Sequence, residues 1–329
     1  MTALAPTLEA FFTERLASQR RASPNTIAAY RDAFRLLLRF VQDATGTQPA
    51  KLQLENLDAP LIGAFLDHLE VERGVAVSTR NARLAAVHSL FRFAALRHPE
   101  HAALIQRVLA IPAKRSDRGV VCYLTRDEID ALLAAPDLSK RIGRRDRAML
   151  LVAIQTGLRV SELTALRCSD VTLSTGAYVR CLGKGRKQRC TPLTTQTVTV
   201  LKAWLAERGG EGSDPLFPGP RGAPLGRDAV RRMVQRHAAT AAGTGSSITV
   251  KGVSPHTLRH SAAMRLLQSG VDCSVIALWL GHESIRTTDM YQHADLQMKE
   301  RALARVAPPN TVSGRYRPTD ALLAFLEGL

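Results

Sequence analysis

Four short stretches hold residues whose types and spacing could do chemistry. "TGLRVSEL" (156–163) presents Arg159 just after a glycine turn, at the start of a helix, with Glu162 three residues on. "GKGRKQR" (183–189) puts Lys184 at the tip of a hairpin, and "SPHTLRHSAA" (254–263) sets His256, Arg259 and His260 on the first turns of a helix. "LGHESIRTTDMYQHA" (280–294) adds His282 and Tyr291. Two arginines, a lysine, histidines and a tyrosine form an anion-handling set with one nucleophile, which suits attack on a phosphodiester. Two guanidiniums can fork onto non-bridging phosphate oxygens and stabilise the charge that builds in the transition state. A tyrosine hydroxyl, with an ordinary pKa of roughly 10, attacks if a base takes its proton or a cationic pocket lowers its pKa. A lysine on a hairpin tip can protonate the leaving oxygen. Each residue also has a plainer reading: Arg159 as a surface charge, Glu162 as a helix-surface or arginine-orienting group, His260 as a packing residue, Tyr291 as core. The joint occurrence, in this order, in one basic chain favours chemistry.

The elements that must carry these residues are mostly helices. "SPNTIAAYRDAFRLLLRFVQ" (23–42) opens with a capping serine and Pro24 at the first helical position, and its apolar residues Ile27, Tyr30, Phe34, Leu37, Leu38 and Val41 recur at helical spacing. "VSTRNARLAAVHSLFRFAALRHP" (77–99) repeats the design with Leu84, Val87, Leu90, Phe91 and Ala94. Residues 1–110 therefore read as a small domain of four or five helices, and 111–123, "IPAKRSDRGVVCY", as a linker. A second domain over 124–306 opens with a capping box, Thr125 and Glu128. Within it, 171–193 is the strongly strand-like region, with β-rich runs broken by Thr-Gly and Gly-Lys-Gly turns. Helical patterns follow at 195–208, 227–241, 255–269, 273–280 and 295–306. A tail, 307–329, ends in the apolar helix "ALLAFLEGL". The fold class read from this is mainly α with a small antiparallel β-sheet.

The chain carries 45 Lys and Arg against 29 Asp and Glu in 329 residues, a formal net charge of +16. Such a surface attracts polyanions, and nucleic acid is the first of them. A membrane surface would call for an amphipathic basic anchor, a lipidation motif or a spanning segment, and none is found. The N-terminus lacks the basic start and small-residue cleavage site of a secretory signal. The five cysteines (122, 168, 181, 190 and 273) include no C-x-x-C pair, so reduced thiols in the cytoplasm are expected rather than disulfides or zinc. Cys181 and Cys190 flank the hairpin and could face each other. His256 and His260 have zinc-ligand spacing but no H-E-x-x-H context, and no carboxylate cluster has metal-ligand spacing. No metal and no cofactor is expected.

The series "TGLRVSEL", the hairpin lysine, "HTLRH", "LGHESIRTT" and "MYQHA" resembles the tyrosine recombinase (phage integrase) family, most closely its two-domain, Xer-like members. The match runs from about residue 120 to 295, and the helical 7–110 segment resembles the family's SAM-like core-DNA-binding domain in pattern. The resemblance implies the tyrosine recombinase/type IB topoisomerase catalytic fold and a C-shaped clamp on DNA. It also implies that Tyr291 forms a 3′-phosphotyrosine, that Arg159 and Arg259 hold the scissile phosphate, and that Lys184 protonates the leaving 5′ oxygen. His256 would act as base or proton relay, and His282 would bond the phosphate. Relatives act on double-stranded DNA with paired, inverted sites, as a dimer on one site and a tetramer in the synapse, in some cases with accessory or sister recombinases. The helix 319–327 would then dock on a neighbouring protomer or cover its own active site. With helices beginning near residue 7, no extra arm-binding domain is expected. Further DNA contacts are expected from Arg80, Arg83, Arg180, Arg186, Lys187, Arg189, Arg231, Arg232 and Arg286, and action at the nucleoid.

Three functions compete: a site-specific recombinase of a mobile element or resolution system, a type IB topoisomerase that relaxes DNA as a monomer, and a non-catalytic DNA-binding regulator. A positioned lysine, histidine and tyrosine have no use in the last. Tyr316 is a rival aromatic, without a histidine in front of it. All three bind DNA through phosphates, so the logarithm of the affinity should fall steeply and linearly with log salt in a filter-binding titration, and a flat response would count against a basic DNA-binding surface.

Overall fold

The computed structural model describes residues 2–115, 121–183, 188–243, 247–282, 288 and 291, without the side chains of 249 and 250. The chain forms two compact units, residues 1–118 and 119–329. The expected linker residues 116–120, hairpin tip 184–187 and helices 295–306 and 319–327 lie outside the described residues.

The first unit contains α1 (Leu4–Ala10), α2 (Pro24–Thr45), α3 (Ala59–Asp67), α4 (Val77–Ala94) and α5 (Ala102–Leu109). Phe11–Gln19 and His68–Glu72 extend α1 and α3 with the wider winding of a π-helix. Ser23 caps α2 as its sequence position predicts, its side chain accepting from the Thr26 amide, with Pro24 next. The apolar stripes of α2 and α4 meet around Phe11, Phe34, Leu37, Val41, Leu84, Val87, Leu90 and Phe91. Phe11 is fully buried and touches Phe34 edge-on at 6.0 Å and Phe93 at 5.7 Å.

The second unit begins with α6 (Arg126–Ala134), α7 (Arg141–Thr156) and α8 (Val160–Ala165). The capping box Thr125–Glu128 is present. A three-stranded antiparallel sheet follows in the order β1 (Val171–Thr172), β2 (Tyr178–Leu182), β3 (Gln188–Pro192). Its register pairs Arg180 with Cys190 and Cys181 with Arg189. Cys181 is therefore buried and Cys190 exposed, and the two do not face each other. Helices α9 (Thr195–Arg208), α10 (Arg227–Ala242), α11 (Pro255–Gln268) and α12 (Cys273–Leu280) complete the described part.

Helix α7 is buried along most of its length and packs against α6, α9 and α11. Its Asp146, fully buried, accepts from Arg145 on the same helix and from Arg236 and His237 on α10. This carboxylate ties α10 to α7, and its partners satisfy a charge that would otherwise be costly to bury. Among the described residues no helix is long and apolar enough to cross a membrane. Phe11→Ala removes the ring on which four aromatic contacts converge. It should cost about 3–5 kcal/mol, seen as a lower urea midpoint for the unfolding of the N-terminal unit.

Candidate active site

Glycine and a cap place the first arginine. Helix α7 ends at Gly157, whose backbone is left-handed (φ 63°), and Arg159 is the N-cap residue of α8. A Cβ at Gly157 would lie 2.5 Å from Leu280 Cδ2 and 3.2 Å from Ala262 Cβ, so only glycine admits α11 and the end of α12 this closely. Arg259, on α11 and buried, uses that approach. Its Nη1 donates to the Gly157 carbonyl at 2.6 Å and its Nη2 to the Leu280 carbonyl at 2.8 Å. Arg159 Nη2 donates to the next carbonyl, Gly281, at 3.0 Å. The open carbonyls at two helix C-termini thus receive guanidinium donors, where a positive charge is favoured.

Glu162 is the counter-charge. Buried on α8, it accepts from the Arg159 amide and Nη1, and from both terminal nitrogens of Arg189 on β3, at 2.7 to 3.1 Å. Burial alone would raise its pKa, but Arg189 and the Arg159 amide outweigh that and hold the carboxyl below its ordinary range. Arg189 also lies against Gly281, where a Cβ would come 2.8 Å from its Nη1. This corrects the expectation that Arg189 contacts DNA: its side chain is 12% exposed and is spent on Glu162. The signal available in the sequence was its position inside the hairpin strand, paired with the buried Cys181, rather than at the tip.

The histidines and the tyrosine complete the cluster. Ser254 caps α11, and the loop before it is pinned by Lys251, which donates to Glu128 at 2.6 Å and to the Tyr123 carbonyl at 3.0 Å. His256 stands exposed on the first turn of α11, with His260 one turn on and their ring centroids 4.3 Å apart. His282 follows Gly281, its Nδ1 2.8 Å from the buried Thr288 hydroxyl, and its ring lies parallel to that of Tyr291. Tyr291 is 1% exposed, packed with Ala263, Met264, Leu267, Ile276 and Leu280. Its hydroxyl is 3.0 Å from His260 Nδ1. Arg159, His256, Arg259, His282 and Tyr291 are thus brought together, and Lys184 lies outside the described residues. The sequence pattern offers His260 only as a packing residue and gives no signal for Thr288, whereas Glu162, read as a helix-surface or arginine-orienting group, orients Arg159 and Arg189.

The other expected DNA contacts divide. Arg80 is 5% exposed, donating to Asn81 and the Pro112 carbonyl, which corrects its assignment to a DNA surface. Arg83 is half-buried and donates to the Ala29 carbonyl. Arg180, Arg231 and Arg232 are exposed, the first two beside Asp170 and Asp228. Arg186, Lys187 and Arg286 lie outside the described residues.

Burial and the nearby cations set the protonation states. His260 is pushed down to about 4 by burial, His256 and Arg259. His282 is pushed down to about 4 by burial and by Arg259, Arg159 and Arg189. His256 moves the same way. Burial raises the Tyr291 phenol against the pull of Arg259 and Arg159. The resting site therefore holds neutral imidazoles and a protonated tyrosine. Between pH 6.5 and about 4 the unfolded chain binds protons that folded His260 and His282 refuse, so stability should fall as pH drops through that window. Urea midpoints measured from pH 7 to 5, above the carboxylate range, should show this slope, and His260→Asn with His282→Asn should flatten it.

Comparison with known proteins accords with this geometry. Residues 122–298 match the model described as the phage integrase family, and residues 10–98 that of the phage integrase N-terminal SAM-like domain. The chain is 55% identical over 328 residues to the integrase/recombinase y4rC of Sinorhizobium fredii, covering 99% of this chain and 98% of that one. It is 35% identical to the tyrosine recombinase XerC of Pelobacter propionicus over 87% of this chain and 90% of the relative. Among solved structures, XerH bound to palindromic difH aligns with a TM-score of 0.72 at 24% identity, covering 87% of this chain and 81% of that one. A lambda integrase dimer on a core site aligns at 0.67 and 20% identity, covering 90% and 97%. The fold is theirs, and the chain belongs to the phage integrase family of tyrosine recombinases.

Proposed function

We propose that this chain cleaves and rejoins DNA at specific sites through a 3′-phosphotyrosine formed by Tyr291. The observation that carries the reading is the convergence of Arg159, Arg259, His256, His282 and Tyr291 on the junction of α7, α8, α11 and α12. In the proposed reaction Arg159 and Arg259 receive the scissile phosphate with the donors that the helix-end carbonyls leave unused. His282 adds a hydrogen bond to a non-bridging oxygen, and His256 relays protons. Lys184 protonates the departing 5′ oxygen. The phosphotyrosine conserves the bond energy, so rejoining runs by the reverse route with no high-energy cofactor. Preorganised cations of this kind typically contribute about 10²–10³-fold each when removed singly, the loss expected for Arg159→Ala.

The partner is double-stranded DNA with paired, inverted core sites. The reading extends to a dimer on one site and a tetramer in the synapse, in the cytoplasm. Its support is the Xer and lambda integrase neighbours, whose structures hold a palindromic substrate and a core site. Exposed Arg231 and Arg232 on α10 and Arg180 on β2 are proposed phosphate contacts.

Covalent trapping tests the reading. A pool of nicked suicide duplexes, including the DNA that flanks the coding sequence, should yield a protein–DNA adduct with the wild-type chain. Tyr291→Phe should abolish the adduct and leave DNA binding intact, and Tyr316→Phe should leave both unchanged. An adduct that survives Tyr291→Phe overturns the assignment.

A further inference from the structure

We propose that His260 is the general base that takes the proton from Tyr291 as the tyrosine attacks phosphorus. The inference rests on the phosphotyrosine reading above and adds to it the identity of the proton acceptor.

Geometry comes first. His260 Nδ1 lies 3.0 Å from the Tyr291 hydroxyl, within the reach required of a base. The neighbouring groups are differently engaged or chemically unfit. Nδ1 of His282 is occupied by Thr288. Arg259 and Arg159 are cations with no acceptor, and both are committed to backbone carbonyls. His256 stands at the exposed start of α11, which suits exchange of protons with solvent or substrate. Its ring meets the His260 ring edge-on, so a proton taken by His260 has a second imidazole beside it.

The proton count closes. The Tyr291 Oη–H bond breaks and its proton moves to His260 Nδ1 as the Oη lone pair forms the bond to phosphorus. The P–O5′ bond breaks, its electrons stay on the 5′ oxygen, and that oxygen takes a proton from Lys184. The products are the phosphotyrosine, a 5′ hydroxyl, an imidazolium at 260 and a neutral lysine. Rejoining reverses every transfer.

The charge environment makes the base responsive to substrate. Without DNA, His260 is held to about 4 by burial and by His256 and Arg259 on its own helix. Arg159 at the start of α8 and His282 after α12 face the same cluster. A phosphodiester seated between Arg159 and Arg259 brings a negative charge, offsets that repulsion and makes the imidazolium easier to form. Tyr291 thus stays protonated in the free protein and is deprotonated where a phosphate is present.

The test uses the full chain and a nicked duplex selected by its covalent capture of the wild type. It also uses the same duplex with sulfur in place of the bridging 5′ oxygen, a leaving group that needs no proton. His260→Asn and His260→Gln should slow adduct formation by about 10²-fold or more on both duplexes, the scale of a lost general base. Lys184→Ala should be slow on the oxygen duplex and recover on the sulfur duplex. With sulfur, the wild-type rate should rise with pH as His260 loses its proton, and the two His260 variants should lack that limb. Wild-type rates in either variant overturn the proposal, as does their recovery on the sulfur duplex, which would put His260 on the leaving-group side. Loss of DNA binding by both variants also overturns it, marking a packing residue. A wild-type chain that captures no duplex overturns the recombinase reading beneath it instead.

Discussion

The second unit depends on a knot in which guanidinium groups close the ends of helices. Arg259 joins the C-terminal carbonyls of α7 and α12, and Arg159 takes the carbonyl one residue further along, at Gly281. These carbonyls have no partner within their own helices and carry the negative end of the helix dipole. Filling them from arginines brings α7, α8, α11 and α12 to one point. The cations placed there for packing are the ones a phosphate would meet. In the proposed reaction, packing and phosphate binding draw on the same two guanidinium groups through different donors, so damage to either arginine would act on both.

Charge is unevenly balanced within this knot. Arg159 and Arg189 bond Glu162, whereas Arg259 feels that carboxylate only through space. Burial first, and then this excess of positive charge, keeps both His260 and His282 neutral. Burial counteracts the same cations at Tyr291 and keeps the phenol protonated. The free protein is thus electrostatically incomplete in a way that an anion completes. Under the proposed phosphotyrosine reaction, a tyrosine that is buried and protonated in the absence of that anion is the expected resting state.

Arg189 links this centre to the sheet. By pairing with Glu162 from β3, it anchors the hairpin close to the connection that contains Lys184 in the sequence. Asp146 does comparable work on the other side, where it holds α10 and its exposed arginines against α7.

Much of this was legible in the chain because it is local. Caps at Ser23, Thr125 and Ser254 and the apolar periods of α2 and α4 are set by neighbours within a turn. Residue type with order along the chain was enough to select Arg159, His256, Arg259, His282 and Tyr291, because phosphate chemistry needs those groups together. What stayed hidden depended on contacts between residues far apart in sequence. Arg80 and Arg189 read as DNA-facing charges, yet burial against Pro112 and Glu162 turned them inward, and a linear pattern does not report burial of a cation. His260 read as packing because its partner, Tyr291, is 31 positions away. The sequence by itself determined which chemistry the chain is equipped for. Only the tertiary structure decided which histidine meets Tyr291 and which arginines are spent on the fold, since those are outcomes of helix ends meeting in space.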